Sequence, residues 1–171
     1  MTDLNTFIRA IPDFPKPGIL FRDITPLLLA PEAFRAAVDQ MAAPLAGSPP
    51  DVFAAIESRG FLFASALAYK LGRGLAIIRK PGKLPYKTRT ASYSLEYGKD
   101  RIEIHEDAIK PGQTVVLVDD LLATGGTMEA AGRLVAELGG RVTEYLFAIE
   151  LADLNGRRKL TAAPVRCLLS Y

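Results

Sequence analysis

The chain has 171 residues, enough for one domain with a sizeable core, since domains cluster around roughly 100–150 residues. Its 21 basic and 19 acidic residues leave a net charge of +2, which argues against nucleic-acid binding because that function requires a large clustered excess of Lys and Arg. No apolar run approaches the ~20 residues of a membrane span, and the single cysteine, Cys167, excludes an intrachain disulfide, so we expect a soluble cytoplasmic protein.

The first half of the chain predicts helices that alternate with a short strand. Apolar residues within 4–11 repeat at helical spacing. Residues 31–46 are predicted to form a helix, because a proline opens the segment and four apolar side chains fall on one face. The apolar run 51–56 is predicted to be a buried strand, and a helix over 61–71 should end at Gly72.

The second half predicts six strands and one helix, separated by a basic segment. Residues 79–90 are rich in Lys, Arg, Pro and Gly and have little to bury, so we expect a loop there. A helix is expected over 126–138, and strands are expected at 75–78, 91–97, 101–105, 114–118, 142–149 and 165–169. This alternation predicts an α/β fold with an open, mostly parallel twisted sheet flanked by helices, which binds ligands beyond the carboxyl ends of its strands.

A phosphate site is predicted directly after the strand expected at 114–118. Two carboxylates, Asp119 and Asp120, come first, and then a turn leads into a helix; its residues are Ala123, Thr124, Gly125, Gly126 and Thr127. Glycines let backbone N–H groups approach a phosphate, and a helix N-terminus adds unpaired donors and partial positive charge. Carboxylates would repel a phosphate but can accept hydrogen bonds from a ribose diol. The segment therefore predicts binding of a ribose 5-phosphate.

The run from Val115 to Thr127 resembles the phosphoribosyl pyrophosphate (PRPP) motif of the type I phosphoribosyltransferases; its sequence is VVLVDDLLATGGT. The resemblance implies that Asp119 and Asp120 hold the ribose hydroxyls and that residues 123–127 hold the 5-phosphate. It extends over nearly the whole chain. It therefore implies a single phosphoribosyltransferase domain over 1–171, with a hood at about 12–27 and a mobile catalytic loop at about 80–94.

Two other segments are expected to bind pyrophosphate. Ser58 and Arg59 follow a predicted strand, and similar loops in the family bind pyrophosphate, often with a cis peptide, which here should lie near Glu57-Ser58. The basic run RKPGKLP, which starts at Arg79, resembles the family's mobile loop. The resemblance implies that Lys83 neutralises pyrophosphate, and that Arg79 serves the partner subunit's site in a homodimer.

Two segments resemble the adenine-using members of the family. SLEYG at 94–98 matches the strand whose glutamate exchanges a proton with the purine, which implies that Glu96 is the catalytic residue. The segment 14–26 is similar to the hood that binds the base. The resemblance implies a stacking role for Phe21 and backbone contacts from Leu20 and Arg22 to the exocyclic amine, with Leu151 covering the other face.

The activity that the resemblance implies is transfer of the phosphoribosyl group of PRPP to adenine, which gives AMP and pyrophosphate in purine salvage. Mg²⁺ is the expected cofactor, carried mainly by PRPP and water without direct protein ligands. One alternative is a transferase for another base, although no lysine follows the phosphate loop to bind a 6-oxopurine. The other is a PRPP-sensing regulator built on the same fold. Such a regulator needs an added DNA-binding module, and only about a dozen residues precede the hood here.

Overall fold

The computed structural model describes residues 2–94 and 99–171, so the expected catalytic Glu96 lies outside the described residues. The helices are α1 Thr25–Leu29, α2 Pro31–Ala42, α3 Gly60–Leu71 and α4 Gly126–Glu137, with short 3-10 turns at Leu4–Phe7, Ala43–Leu45, Ala152–Leu154 and Gly156–Lys159. The strands are β1 Arg9–Pro12, β2 Leu20–Asp23, β3 Val52–Ile56, β4 Gly74–Arg79, β5 Thr88–Ser94, β6 Lys99–His105, β7 Thr114–Leu122, β8 Arg141–Glu150 and β9 Val165–Ser170.

Seven of the strands form a central sheet in the order β5-β6-β4-β3-β7-β8-β9. The five strands from β4 to β9 along this order run parallel, while β6 pairs antiparallel with both β4 and β5. The expected open, mostly parallel α/β sheet is confirmed. Strands β1 and β2 form a separate antiparallel hairpin.

Helices cover both faces of the central strands, which explains why those strands are apolar throughout. Val116 and Val118 of β7 pack in one core cluster with residues of α1, α2 and α3. Val115 and Leu117 point to the opposite face and pack in a second cluster with residues of α4. All five residues of β3 are buried for the same reason, since a strand covered on both faces has no polar side.

Several boundaries differ from the sequence-based expectation. Helix α2 ends at Ala42, and a 3-10 turn follows where the helix was expected to continue to residue 46. Strand β7 continues to Leu122 because β8 still pairs alongside it, so both carboxylates lie within the strand and not beyond its end. Only Leu4–Phe7 is helical within 4–11, because the chain enters β1 at Arg9 and pairs with β2. Strand β5 begins at Thr88 and occupies the second half of the segment expected to be mobile. Lys99 and Asp100 lie in β6, where they pair with β5, and not in the connecting turn.

One local expectation is confirmed. Helix α3 ends at Gly72, whose φ of 64° lies in the left-handed region that favours glycine. Within the part of the chain that the structure describes, no helix is both long enough and apolar enough to cross a membrane.

Candidate active site

The loop between β7 and α4 encloses a small open cavity of about 90 Å³. Gly125 has a φ of 77° and immediately precedes α4, so the cavity lies at the N-terminus of that helix, where the first N–H groups have no partner within the helix. All five residues of the predicted phosphate loop line this cavity together with Asp119; the full lining is Asp119, Leu121, Leu122, Ala123, Thr124, Gly125, Gly126, Thr127, Met128 and Phe147.

The two carboxylates of β7 have different surroundings. Asp119 lines the cavity, whereas the nearly buried Asp120 binds the Nε of Arg59 at 2.9 Å. Burial raises the pKa of Asp119 well above its usual range, and the adjacent charge of Asp120 raises it further. Burial also raises the pKa of Asp120, although the Arg59 charge opposes that effect. The arrangement limits the negative charge that a phosphate would meet.

The predicted pyrophosphate loop lies directly against these carboxylates. It connects β3 to α3 and contains a cis peptide between Glu57 and Ser58, as the family resemblance led us to expect. Gly60, the first residue of α3, has no room for a side chain. A methyl group there would lie 2.8 Å from the Asp119 Oδ1 and 3.0 Å from the carbonyl oxygen of Val118. Glycine therefore allows this loop to approach the two carboxylates of β7.

Glu57 binds residues of the basic segment, which places that segment beside the same loop. Its carboxylate accepts hydrogen bonds from the Lys83 Nζ at 2.8 Å, the Arg79 Nη2 at 3.2 Å and the backbone N–H of Lys80 at 2.6 Å. Burial alone would raise the pKa of Glu57, but these hydrogen bonds outweigh it and the pKa is lowered. The two expected pyrophosphate ligands of the basic segment thus lie beside the pyrophosphate loop.

The β1–β2 hairpin brings the predicted hood residues to the same side of the site. The ring of Phe21 lies 5.2 Å from the guanidinium carbon of Arg59 and makes an edge contact with Phe14. Arg59 therefore links the hood to Asp120. Leu20 is about half exposed at 47%, and the side chain of Arg22 lies over the ring of Tyr171 at 3.9 Å, which leaves only its backbone for a base.

Comparison with known proteins agrees with this geometry. A phosphoribosyl transferase domain model matches residues 28–168. The adenine phosphoribosyltransferase of Butyrivibrio fibrisolvens is 56% identical over 94% of this chain and 89% of its own length. That of Pseudothermotoga lettingae is 53% identical over 99% of both chains. This chain belongs to the adenine phosphoribosyltransferases.

Solved structures of the family share the fold. The adenine phosphoribosyltransferase of Thermoanaerobacter pseudethanolicus superposes with a TM-score of 0.95 at 50% identity, covering 98% of both chains. The Saccharomyces cerevisiae enzyme, complexed with an imino-altritol bisphosphate and adenine, gives a TM-score of 0.91 at 42% identity and 96% coverage of both chains.

The last predicted base contact, Leu151, follows β8 at the same edge of the sheet. Its backbone N–H donates to the carbonyl oxygen of Leu122 at 2.9 Å, which ties it to the start of the phosphate loop. This edge of the sheet is formed by the ends of β7 and β8, which pair over the longest stretch among the described strands.

Sequence reasoning missed three residues: Glu57 as an acceptor for the basic segment, Gly156, whose backbone packs against residues 123–125, and Arg157, which binds Glu150 at the end of β8. Glu57 is 22 to 26 residues from its side-chain partners, so no local pattern connects them. An acidic residue at the end of a buried strand was the one available signal. Gly156 and Arg157 stand in an ordinary polar run, NGRRK, which gives no sign of their contacts.

The side chains that could bind a metal ion can be compared with the coordination that Mg²⁺ prefers. Among the described residues, no three His, Cys, Asp or Glu side chains come together in a way that could hold a metal ion. The carboxylates beside the cavity are those of Asp119 and Asp120, and the second of these is bound to Arg59. This chemistry fits an ion that keeps most of its ligands from substrate phosphates and water.

Proposed function

We propose that this chain transfers the 5-phosphoribosyl group of PRPP to adenine and releases AMP and pyrophosphate, as a purine salvage enzyme. The observation that carries the proposal is the position of Arg59. Its guanidinium contacts Asp120 beside the phosphate loop and faces the ring of Phe21 in the hood. This position of Arg59 supports the proposal, because one cation would link the carboxylates that hold the ribose diol to the aromatic ring that stacks on the base.

The phosphate loop and the carboxylates would hold the ribose 5-phosphate. The N–H groups and hydroxyls of residues 123–127 would bind the phosphate, as helix N-termini do. Asp119 and Asp120 would accept hydrogen bonds from the ribose hydroxyls and orient the sugar. Their partial negative charge would favour the positive charge that develops at the anomeric carbon as its bond to pyrophosphate breaks.

Ser58, Arg59, Lys83 and Arg79 would receive the departing pyrophosphate. Lys83 and Arg79 are held on Glu57 in this structure, so pyrophosphate would compete with that carboxylate for the same two cations. Arg79 would also be available to the site of a partner subunit. Closure of the loop over 80–94 would exclude water from the reactive ribose, which would otherwise be hydrolysed.

Adenine would lie between Phe21 and Leu151. The aromatic ring of Phe21 offers a stacking surface, and the backbone at Leu20 and Arg22 would read the exocyclic amine. The adenine N9 would form the new bond to the anomeric carbon, and Glu96 would take the N9 proton as general base. In the reverse direction Glu96 would return the proton as general acid.

Mg²⁺ would neutralise negative charge on PRPP and on the leaving pyrophosphate. Asp119 would hold the hydrated ion through water, because among the described residues it is the carboxylate that lines the cavity. This assignment is consistent with the preference of Mg²⁺ for substrate phosphates over protein cages.

We further propose that the enzyme is a cytoplasmic homodimer. Three large apolar side chains are exposed on α1 and α3: Leu29 at 79%, Tyr69 at 92% and Leu62 at 42%. Leu62 and Tyr69 lie around one open depression of the surface, and an exposed apolar surface of this kind is typical of a protein–protein contact. The molar mass in solution, measured by light scattering for wild type and for Tyr69→Arg, tests the dimer. A monomeric wild type would contradict it.

The proposed activity is tested by a spectrophotometric assay of AMP formation from adenine, PRPP and Mg²⁺. Adenine should be converted, whereas hypoxanthine and guanine should give little or no product. Conversion of a 6-oxopurine in preference to adenine would support a transferase for another base. Absence of turnover together with a gel shift on DNA would support the regulator alternative.

A further inference from the structure

The segment that follows β8 is closed by an ion pair between Glu150, the last residue of β8, and Arg157 in the 3-10 turn Gly156–Lys159. Glu150 is buried, and its two oxygens bind the Nε and Nη2 of Arg157, each at 2.6 Å. The Nη1 of Arg157 donates to the carbonyl oxygen of Val165 on β9 at 2.7 Å. One guanidinium thus ties the end of the loop both to its own beginning and to the neighbouring strand. We call this pair the Glu150–Arg157 clamp.

Each end of the clamped loop adjoins a part of the proposed active site. Leu151, next to Glu150, is the expected wall of the base pocket. Gly156, next to Arg157, is buried, and its backbone packs directly against the phosphate loop. A methyl group on Gly125 would come within 2.5 Å of the Gly156 carbonyl oxygen, and one on Gly156 would overlap the carbonyl oxygen of Ala123.

The contact between the two loops is made by main chain, with the side chain of Leu122 also close to Gly156. Packing of bare backbone gives little interlocking of side chains, so a further link helps to hold the two backbones at this distance. The residues between the two ends, 152–155, are exposed and make only local turns and one hydrogen bond to Tyr171. The clamp is the strongest polar link between the Gly156 end of the loop and the sheet.

We propose that Arg157 is a positioning residue, which through Glu150 holds Gly156 against the phosphate loop and Leu151 at the base pocket. The inference rests on the proposed function, since it assigns a shared support to the PRPP and adenine subsites. Loss of the guanidinium would leave the buried Glu150 carboxylate unpaired, and the loop would have to move for that carboxylate to reach water. Both subsites would then lose their geometry together.

The charges around the clamp are consistent with a single ion pair. Hydrogen bonds from Arg157 lower the pKa of Glu150, so the carboxylate is ionised at neutral pH. The Arg157 Nη2 also lies 3.5 Å from the Cys167 Sγ. Burial raises the pKa of this thiol to about 12, so it stays protonated and does not compete as a second anion.

The test compares Arg157→Ala with Arg158→Ala in the full-length enzyme. Arg158 is the adjacent residue in the same 3-10 turn, is exposed, and makes no ion pair among the described residues. In Arg157→Ala we expect the KM values for both PRPP and adenine to rise by roughly tenfold to a hundredfold, the scale of an ångström displacement. In Arg158→Ala both should stay within about twofold of wild type.

The separation of KM from kcat distinguishes positioning from mere stability. A variant that only folds less well would lose active enzyme, which lowers the apparent kcat at unchanged KM values. Unchanged KM values in Arg157→Ala would therefore overturn the proposal, even if its melting temperature fell. Failure of the wild type itself to form AMP would instead contradict the proposed function.

Two further variants decide the question if Arg157→Ala does not fold. Arg157→Lys keeps the charge but loses the two-pronged geometry, so both KM values should rise by less than with alanine. Gly156→Ala keeps the clamp but forces the two loops apart, so the KM for PRPP should rise more than that for adenine. Wild-type KM values in both variants would overturn the proposal.

Discussion

The contact between Gly60 and β7 supports a quantitative prediction for Gly60→Ala. The added methyl group would lie 2.8 Å from the Asp119 Oδ1, 3.0 Å from the Val118 carbonyl oxygen and 3.2 Å from the Asp119 Cα, whereas ordinary contacts begin at 3.4 Å. The first residue of α3 must therefore move away from β7 by about half an ångström, because two of these three atoms are backbone. Arg59, which directly precedes Gly60, would then move relative to Asp119.

The magnitude follows from two opposing effects. Overpacking of a well-packed site costs about 1–3 kcal/mol. Replacing glycine by alanine within a helix returns about 0.5–1 kcal/mol. We expect a net destabilisation of about 1–2 kcal/mol and, for a domain of this size, a melting temperature lower by about 2–8 °C. Displacement of two substrate-binding groups should lower kcat/KM for PRPP by about tenfold to a hundredfold.

The assay is thermal unfolding together with steady-state kinetics, with Gly47→Ala as the matched control. Gly47 is exposed and has open space where a methyl group would go, so this control should be neutral or slightly stabilised. If Gly60→Ala were as stable and as active as the control, the close approach of α3 to β7 would not constrain the site, and the reasoning would be refuted.

Three further predictions concern individual side chains. Glu96→Ala should lower kcat by about 10²–10⁴-fold with little change in PRPP binding measured by calorimetry, since only the proton transfer is lost; wild-type turnover would remove Glu96 from the mechanism. Because the pKa of Glu57 is lowered from its ordinary value of 4.5, its stabilising effect is complete above that pH and lost as the pH falls through the folded-state pKa. Urea unfolding of Glu57→Gln from about pH 6 to pH 3 should therefore show a smaller loss of stability than wild type, and a parallel loss would contradict the hydrogen-bonded geometry. Arg59→Lys keeps the charge but loses the planar donor between Asp120 and Phe21, so kcat/KM should fall by about tenfold or more, and an unchanged value would show that the ion pair is not needed.

The local parts of the site could be predicted because their signals are contiguous in the sequence. The run from Val115 to Thr127 contains a buried strand, two carboxylates, a glycine turn and a helix start, and all of these depend on neighbouring residues. The same holds for the mostly parallel sheet, because apolar strands alternating with helices have few other ways to bury both faces. The Ser58–Arg59 loop was predicted from the same rule that ligands bind after strands.

The first residues of the chain were predicted less well, because a short apolar repeat fits more than one structure. The stripe within 4–11 has helical spacing, yet only Leu4–Phe7 is helical, as a 3-10 turn. Arg9–Pro12 becomes a strand because Leu20–Asp23 supplies backbone partners. The length of β7 has the same origin, since β8 remains alongside it as far as Leu122.

The amino-acid sequence by itself determined the fold class, the phosphate loop and the membership of the phosphoribosyltransferases, because each depends on short-range pattern or on a contiguous motif. Only the tertiary structure decided which charges meet: Glu57 with Lys83 and Arg79, Asp120 with Arg59, and Glu150 with Arg157. It also decided that Gly156 packs against Gly125 and Ala123. The physical reason is that such contacts depend on where the folded elements place long side chains and exposed backbone. The separation of two residues along the chain does not predict that placement.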